Sequence, residues 1–369
     1  MSFPPEQRGT YAEIDLRAFE RNIDAIVARL PEGTRLITLL KANAYGHGAV
    51  ELARRCSPEK VAMIGVALLE EGLELRRAGI ALPILVLGSL NEVQVRLALE
   101  HDITLGVPGP EELEHVARVA REREVNVHLK LDSGMGRMGC VESELPRVIE
   151  LLRATPGIRL EALYTHLANA GDAHDPFTDG QVARFESLVE TLRAAGIEAP
   201  RHHVANSAAT MRGITPGDFA RVGIALYGAE PLDNDSLRLD PVMRWRTEIV
   251  RLKDLPSGHA VGYGMTFHTK RASRIATLPV GYADGYRRGF GNRAEVLVRG
   301  KRVPVVGRVS MDLTTIDVTD VPDVAVGDEV VLLGGPIRVE ELAAKLDTIS
   351  YEVFCGVSAR VPRVYRVDS

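Results

Sequence analysis

The segment from Leu36 to Gly48 reads LITLLKANAYGHG and joins an apolar run to a lysine at the start of a loop. An apolar run of this length before Lys41 is typical of a buried β-strand. A lysine at such a strand end is partly desolvated, which disfavours its ammonium form and leaves an amine that can attack a carbonyl. Such an amine can hold an aldehyde cofactor as a Schiff base. A lysine that merely extends its charge out of a strand end is the alternative at this position.

Outward from this segment, apolar runs alternate with stretches of helical periodicity. The predicted strands end near Lys41, Ala67, Gly88, Gly106, Asp132, His166, Asn206 and Ile224. Eight strands that alternate with helices predict an α/β protein with a parallel (β/α)8 TIM barrel, whose functional residues gather at the carboxyl ends of the strands. A doubly wound sheet is the alternative.

After Leu239 the sequence changes to β-branched runs punctuated by Gly, Pro and Asp, which predicts a C-terminal domain rich in β-strands. Strands are predicted at 274–280, 294–298, 303–306 and 329–333, and a helix at 339–346. We expect the barrel to cover residues 13–238 and the β domain to cover 239–369. The N-terminal segment 1–12 is expected to join the β domain.

Composition excludes several classes of function. The net charge of −5 is spread over 369 residues without a basic stripe, so no nucleic-acid partner is expected. The apolar runs are too short to span a bilayer and the polar start lacks a signal peptide, which predicts a cytoplasmic protein without membrane contact. Cys56, Cys140 and Cys355 have no metal-ligand partners nearby in sequence, so we expect reduced thiols and no metal site.

The residues that close the predicted strands form a chemically coherent set. It comprises Lys41, Tyr45, Arg137, His166, Asn206, Ser207, Arg221, Gly223 and Ile224. TIM barrels often bind phosphate with the loops after strands seven and eight, where Ser207, Gly223 and Ile224 lie. Taken singly, a serine at that point more often caps a helix, and a glycine is more often needed for the backbone conformation. A lysine together with a phosphate site predicts pyridoxal phosphate (PLP).

Arg221 is the candidate partner of the cofactor's pyridine nitrogen. A guanidinium does not give up its proton, so the ring nitrogen would stay unprotonated and withdraw electrons less strongly. An ion pair at the barrel mouth is the alternative for this arginine.

Eight motifs in order resemble one family, the bacterial PLP-dependent alanine racemases, nearly from end to end. They are KANAYGHG at Lys41, LDSGMGRMG around Arg137, YTH at His166, ANSAA at Asn206, RVGIALYG at Arg221, VGYGMTF at Tyr263, LPVGYADGY at Tyr282 and GRVSMD at Met311. The resemblance implies an isomerase that interconverts L-alanine and D-alanine and supplies D-alanine for peptidoglycan. Racemisation needs one proton-transferring group on each face of the substrate carbon.

The resemblance also implies a role for each site residue. Lys41 would carry PLP and transfer a proton on one face, and Tyr263 would do so on the other. Tyr45, Ser207, Gly223 and Ile224 would hold the phosphate, Arg221 the pyridine nitrogen, and Arg137 the phenolic oxygen and the substrate carboxylate. His166 would orient Tyr263 and connect it to Arg221, Asn206 would line the cofactor pocket, and His203 would support Arg221. Lys130 can be carbamylated in such proteins and then positions Arg137.

In this family two chains form a head-to-tail homodimer with shared sites. Each subunit would lend its Tyr263, together with Met311, Asp312 and Tyr282, to the barrel of its partner. One departure from the family pattern is Ala359, which stands where many members have a tyrosine. We expect a wider entrance and some turnover of larger amino acids such as serine.

Two other functions are compatible with parts of this pattern. A PLP-dependent decarboxylase of basic amino acids has a related barrel, but its ring nitrogen faces a carboxylate, which Arg221 does not supply. A protein that only carries PLP, without enzymatic activity, would have no use for Tyr263 and Met311.

Overall fold

A computed structural model describes residues 8–214, 217–230 and 238–367. Its strands are β1 (Tyr11–Asp15), β2 (Arg35–Leu39), β3 (Val61–Val66), β4 (Ile84–Val86), β5 (Ile103–Val107), β6 (Val125–Lys130), β7 (Ile158–Tyr164), β8 (Arg201–His203), β9 (Phe219–Val222), β10 (Met243–Glu248), β11 (Arg251–Leu255), β12 (Ala260–Val261), β13 (Phe267–His268), β14 (Ser273–Leu278), β15 (Glu295–Val298), β16 (Lys301–Pro304), β17 (Thr314–Asp317), β18 (Glu329–Leu333) and β19 (Arg363–Arg366).

Most of the α-helices alternate with the barrel strands, and the last two lie in the C-terminal part of the chain. They are α1 (Leu16–Val27), α2 (Lys41–Tyr45), α3 (Ala49–Ala53), α4 (Leu69–Arg77), α5 (Glu92–Glu100), α6 (Pro110–Val119), α7 (Leu145–Ala154), α8 (Phe177–Ala194), α9 (Ser207–Met211), α10 (Val339–Leu346) and α11 (Ser350–Gly356). Short 3-10 helices lie at Glu142–Glu144, Ile224–Tyr227, Tyr263–Met265, Tyr282–Asp284 and Arg288–Phe290.

The first sheet confirms the predicted barrel. Its eight strands are parallel and lie in the order β8-β7-β6-β5-β4-β3-β2-β9. The ends of this order meet where Arg221 N donates to Ala205 O at 3.0 Å and Asp218 N donates to His202 O at 2.8 Å. The sheet is therefore nearly closed as a barrel, and the doubly wound alternative is wrong.

The barrel strands are buried because helices cover the outside of the sheet and side chains fill its inside. Every residue of β3 is buried, as are four of the five residues of β2, which explains why both read as continuous apolar runs. The first helix, α1, begins where the carboxylate of Asp15 accepts the N–H of Ala18 at 2.8 Å and caps it. All eight strands stand within about three residues of their predicted ends.

The second part of the chain forms a strand-rich domain, as predicted. Its main sheet has the order β16-β15-β18-β10-β1-β19, in which β1 is antiparallel to β10 and parallel to β19. The first strand of the chain thus lies in this sheet, across the expected division between residues 12 and 13. Residues 1–7 lie outside the described part, and the domain limits stay a prediction.

The predicted strand 329–333 and helix 339–346 coincide with β18 and α10. The predictions at 274–280, 294–298 and 303–306 correspond to β14, β15 and β16, shifted by up to two residues. In the described parts of the chain, every helix is too short or too polar to cross a bilayer.

Candidate active site

The lysine loop has an unusual backbone. Ala42, Asn43, Ala44 and Tyr45 all have φ of 52° or 53°, so α2 is a left-handed turn. Left-handed conformation costs roughly 1–2 kcal/mol per residue that carries a Cβ. The turn is closed by two hydrogen bonds, from Ala44 N to Leu40 O at 2.8 Å and from Gly46 N to Ala42 O at 2.9 Å. Further contacts must offset this strain.

Glu71 supplies such contacts and was missed by the sequence analysis. Its carboxylate accepts the N–H of Ala42 at 2.5 Å, next to Lys41, and the N–H groups of Ala67 and Leu68 at 2.8 and 3.1 Å. It therefore ties together the loops that follow β2 and β3. The available signal was a glutamate three positions after Leu68, where a carboxylate reaches back to cap the start of a helix.

Several cations converge at the barrel mouth. Burial lowers the pKa of the Lys41 amine, and the charges of Arg137 and Arg221 lower it further, while Glu71 opposes them. Burial and the same two arginines lower the pKa of Lys130 to about 8. Arg137 itself is exposed, in the loop after β6. The mouth therefore favours anionic groups and holds both lysine amines closer to their neutral form than usual.

Arg221, the next to last residue of the last barrel strand, is buried with 2% of its surface exposed. Its guanidinium donates to three carbonyl oxygens, at His203 (2.7 Å), Thr165 (2.6 Å) and Val204 (3.1 Å). It also lies 2.8 Å from Nδ1 of His203 and 3.4 Å from Nδ1 of His166. Burial lowers its pKa to about 10. Within residues 8–214, 217–230 and 238–367, no carboxylate forms an ion pair with it.

His166 follows β7 at the same end of the barrel. Burial and the cations around it, Arg221 first among them, lower its pKa to about 2. The imidazole is therefore neutral at physiological pH and can accept a hydrogen bond from the guanidinium of Arg221.

The predicted phosphate residues lie together. Ser207 Oγ accepts the N–H of Gly223 at 3.0 Å. A Cβ at Gly223 would lie 2.3 Å from Tyr45 Oη and 2.9 Å from its Cζ, so a larger residue here would displace the buried ring of Tyr45. Ile224 begins the short helix that follows. Tyr45 is buried beside the rings of Tyr227 and Tyr351, at 4.8 and 5.7 Å.

Asn206 has a structural task in this position. Its side-chain oxygen accepts the N–H of Ala209 at 3.0 Å and caps α9, and its amide donates to Leu167 O at 3.3 Å. These bonds fix the loop that carries Ser207.

The predicted residues of the β domain are not brought to the lysine within one chain. Tyr263, Met311 and Tyr282 are 73%, 54% and 40% exposed. Among the described residues, no hydrogen bond or ion pair joins Tyr263 to Lys41 or His166. Asp312 is exposed and pairs with Arg360 at 2.9 Å.

The residues at the mouth fit PLP. The cofactor needs an amine for its aldehyde, a site for its phosphate and a partner for its pyridine nitrogen. Lys41 offers an amine with a lowered pKa, and Tyr45, Ser207 and Gly223 form a cradle that no Cβ fills. Arg221 offers a buried donor at the same end of the barrel.

Comparison with known proteins gives an independent result. The family described as "Alanine racemase, N-terminal domain" matches residues 14–231, and "Alanine racemase, C-terminal domain" matches residues 242–365. The chain is 43% identical over 369 residues to the alanine racemase of Symbiobacterium thermophilum and 41% identical over 368 residues to that of Halothermothrix orenii. In both cases the alignment covers 97% of each chain. The crystal structure of alanine racemase from the D-cycloserine producing Streptomyces lavendulae matches with a TM-score of 0.93 at 34% identity, covering 100% of this chain and 99% of that chain.

Proposed function

Because this chain belongs to the alanine racemase family and is an enzyme of that family, we propose that it interconverts L-alanine and D-alanine with PLP as its cofactor. The observation that carries the proposal is the convergence of the Lys41 amine, the Gly223 cradle and the buried guanidinium of Arg221 at one end of the barrel. When bound, PLP supplies a conjugated ring that stabilises the negative charge left on the substrate carbon after its proton is removed.

Arg221 limits how strongly the ring nitrogen attracts electrons. Its guanidinium stays protonated at physiological pH, since burial lowers its pKa only to about 10. It can donate a hydrogen bond to the pyridine nitrogen but does not release its proton to it. A ring polarised this weakly would withdraw little electron density from the substrate carbon, which would therefore take back a proton readily.

Lys41 and Tyr263 act as the two proton-transferring groups. The lowered pKa of Lys41 raises the fraction of neutral amine that can accept a proton from one face of the substrate carbon. The phenol of Tyr263 serves the opposite face, and neutral His166 positions it. Arg137 binds the substrate carboxylate with its exposed guanidinium.

Two copies of the chain form a homodimer with shared sites. The support is a set of exposed large side chains in the β domain: Tyr263, Met265, Tyr282, Met311 and Leu313, each at least 40% exposed. Large exposed apolar groups on a soluble domain commonly mark an interface. In the dimer, the Tyr263 of each chain enters the other's barrel mouth, flanked by Met311, Asp312 and Tyr282.

The reaction is tested with the purified protein, PLP and L-alanine in heavy water. D-Alanine should form, and deuterium should appear at Cα. Lys41→Ala and Tyr263→Phe should each lower the rate at least a hundredfold, whereas the matched controls Lys253→Ala and Tyr11→Phe should leave it unchanged. Interconversion at the wild-type rate in either site variant would contradict the two-base assignment.

Substrate range depends on Ala359, which lies in an exposed turn next to the Arg360 and Asp312 ion pair. A short side chain here leaves the entrance wide, so the enzyme should turn over L-serine as well as L-alanine. Ala359→Tyr should lower the serine rate more than the alanine rate. Equal relative rates in both proteins would remove the support for this idea.

The decarboxylase alternative predicts a carboxylate at the pyridine nitrogen, and Arg221 occupies that place in our proposal. Release of labelled carbon dioxide from lysine or ornithine would favour the decarboxylase.

The cellular role that we propose is cytoplasmic production of D-alanine, which is a building block of peptidoglycan.

A further inference from the structure

A series of hydrogen-bonding side chains runs from Arg221 into the barrel. Arg221 Nη1 lies 2.8 Å from His203 Nδ1, and His203 Nε2 lies 3.0 Å from His128 Nδ1. His128 Nε2 faces a carboxylate oxygen of Glu161 at 3.7 Å. We call Arg221, His203, His128 and Glu161 the histidine chain. The proposed function uses Arg221, and the family resemblance implies a role only for His203 among the other three residues.

The histidine chain runs through the inside of the barrel, from the mouth at the carboxyl ends of the strands toward their amino ends. In β6, Asn126, His128 and Lys130 occupy alternate positions and so share one face of the strand. Lys130 lies at the mouth, while Asn126 and Glu161 line a cavity of about 400 Å³ at the amino ends of the strands. Both histidines are buried, at 0% and 1% exposed, and the Glu161 side chain is 30% exposed. The carboxylate therefore contacts solvent while the rings do not.

The donors and acceptors of the histidine chain have only one consistent arrangement. Arginine has no acceptor, so His203 Nδ1 must present a lone pair to it and the ring proton must sit on Nε2. That proton points at His128 Nδ1, which must then be an acceptor. The proton of His128 therefore sits on Nε2 and faces Glu161. Each ring is neutral, and the two hydrogen bonds point from Arg221 toward His128, whose Nε2–H faces the carboxylate of Glu161 at 3.7 Å.

The surroundings hold both rings in place and keep them neutral. Tyr164 stacks on His203 with 4.7 Å between centroids and 1° between planes, and Phe219 meets the same ring edge-on at 5.9 Å. Burial lowers the pKa of both His203 and His128. Arg201 and Arg221 add positive charge near His128, which Glu161 opposes.

We propose that His128 and Glu161 are positioning residues for Arg221, which they orient through His203. By fixing each ring in one tautomer, they keep a lone pair available to the buried guanidinium, and they end the histidine chain on a negative charge. The inference rests on the proposed function only where Arg221 is assigned to the pyridine nitrogen of the cofactor.

The tautomers can be measured directly in the protein without PLP or substrate. Long-range proton–nitrogen correlation spectra of the 15N-histidine-labelled protein should show His203 and His128 protonated on Nε2 and bare on Nδ1 between pH 6 and pH 9. The variant His128→Asn assigns the His128 signals. A proton on Nδ1 of His203 would overturn the proposal.

Variants separate positioning from simple packing. His128→Phe leaves the N–H of His203 without an acceptor, whereas His128→Asn keeps an oxygen acceptor near the place of Nδ1. We expect His128→Phe to weaken PLP binding and to lower kcat, each about tenfold, with KM for alanine unchanged. His128→Asn should restore most of both losses. His202→Phe is the matched control, because His202 packs against Phe185 outside the histidine chain; it should keep wild-type PLP affinity.

Equal losses in His128→Phe and His128→Asn would overturn the proposal. If His128→Phe does not fold, Glu161→Ala decides: a threefold or larger loss of PLP affinity supports positioning, and wild-type affinity contradicts it. A wild-type protein that fails to racemise alanine would contradict the proposed function alone, since the tautomers are read without substrate.

Discussion

Lys130 buries an ammonium at the mouth of the barrel, and replacing it should stabilise the protein. Its side chain is 7% exposed and its pKa falls from 10.5 to about 8. That fall corresponds to about 3 kcal/mol of unfolding free energy lost at neutral pH. The ammonium also lies over the ring of Tyr164, 6.0 Å from its centroid, a contact worth about 1 kcal/mol. Lys130→Met should therefore raise the unfolding free energy by about 2 kcal/mol at pH 7.

The sign of the pH dependence follows from the lowered pKa. Below pH 8 both folded and unfolded chains bind the proton, and the folded wild type carries the full cost. Between about pH 8 and pH 10.5 the unfolded chain binds more proton, so wild-type stability rises with pH relative to the variant. The difference in unfolding free energy between Lys130→Met and the wild type should therefore decrease steadily from about pH 8 to pH 10.5.

Urea denaturation followed by circular dichroism measures the effect in the protein without PLP, at fixed concentration and in buffer free of carbon dioxide. A difference between the two proteins that stays constant from pH 7 to pH 10 would refute the reasoning. Bicarbonate gives a second readout. The neutral amine of Lys130 can add carbon dioxide and release a proton, which forms an anionic carbamate among cations. Bicarbonate should then stabilise the wild type and leave Lys130→Met unchanged.

Two further substitutions test the mouth of the barrel. Gly223→Ala places a Cβ 2.3 Å from Tyr45 Oη and should weaken PLP binding more than tenfold with the fold retained, whereas Gly180→Ala, in open space on a helix, should leave binding unchanged in the same titration. Glu71→Gln weakens three charge-assisted bonds to backbone N–H groups and should lower the unfolding free energy by about 1–3 kcal/mol, while exposed Glu70→Gln should lie within 0.5 kcal/mol of wild type. Unchanged stability in Glu71→Gln would contradict its role in holding the left-handed turn.

Sequence predicts the barrel well because buried parallel strands are short continuous apolar runs, and the helices between them keep their own period. The strands of the β domain are harder to predict from the sequence. In β10, Arg244 and Arg246 alternate with buried residues, and the two arginines pair with Glu329 across the sheet. A strand whose outer face is charged has no apolar run to reveal it, so β10 was not predicted.

In the candidate site, too, some residues can be predicted from the sequence and others cannot. Residues next to strand ends, such as Lys41 and Arg221, can be found from the order of the motifs. Glu71 and Glu161 cannot, because their importance lies in contacts with residues distant in the sequence: Glu71 reaches a backbone 29 residues away, and Glu161 lies beside His128. His128 did carry a signal, since it stands two positions before Lys130 and so on the same face of the strand.

The claim that each site combines two chains is tested most directly by mixing the variants Lys41→Ala and Tyr263→Phe. Each homodimer should be nearly inactive. After subunit exchange, verified by native mass spectrometry, half of the dimers should be mixed, and each mixed dimer should carry one site with both groups intact. The mixture should recover about a quarter of wild-type activity. A fully exchanged mixture that stays inactive would contradict shared sites.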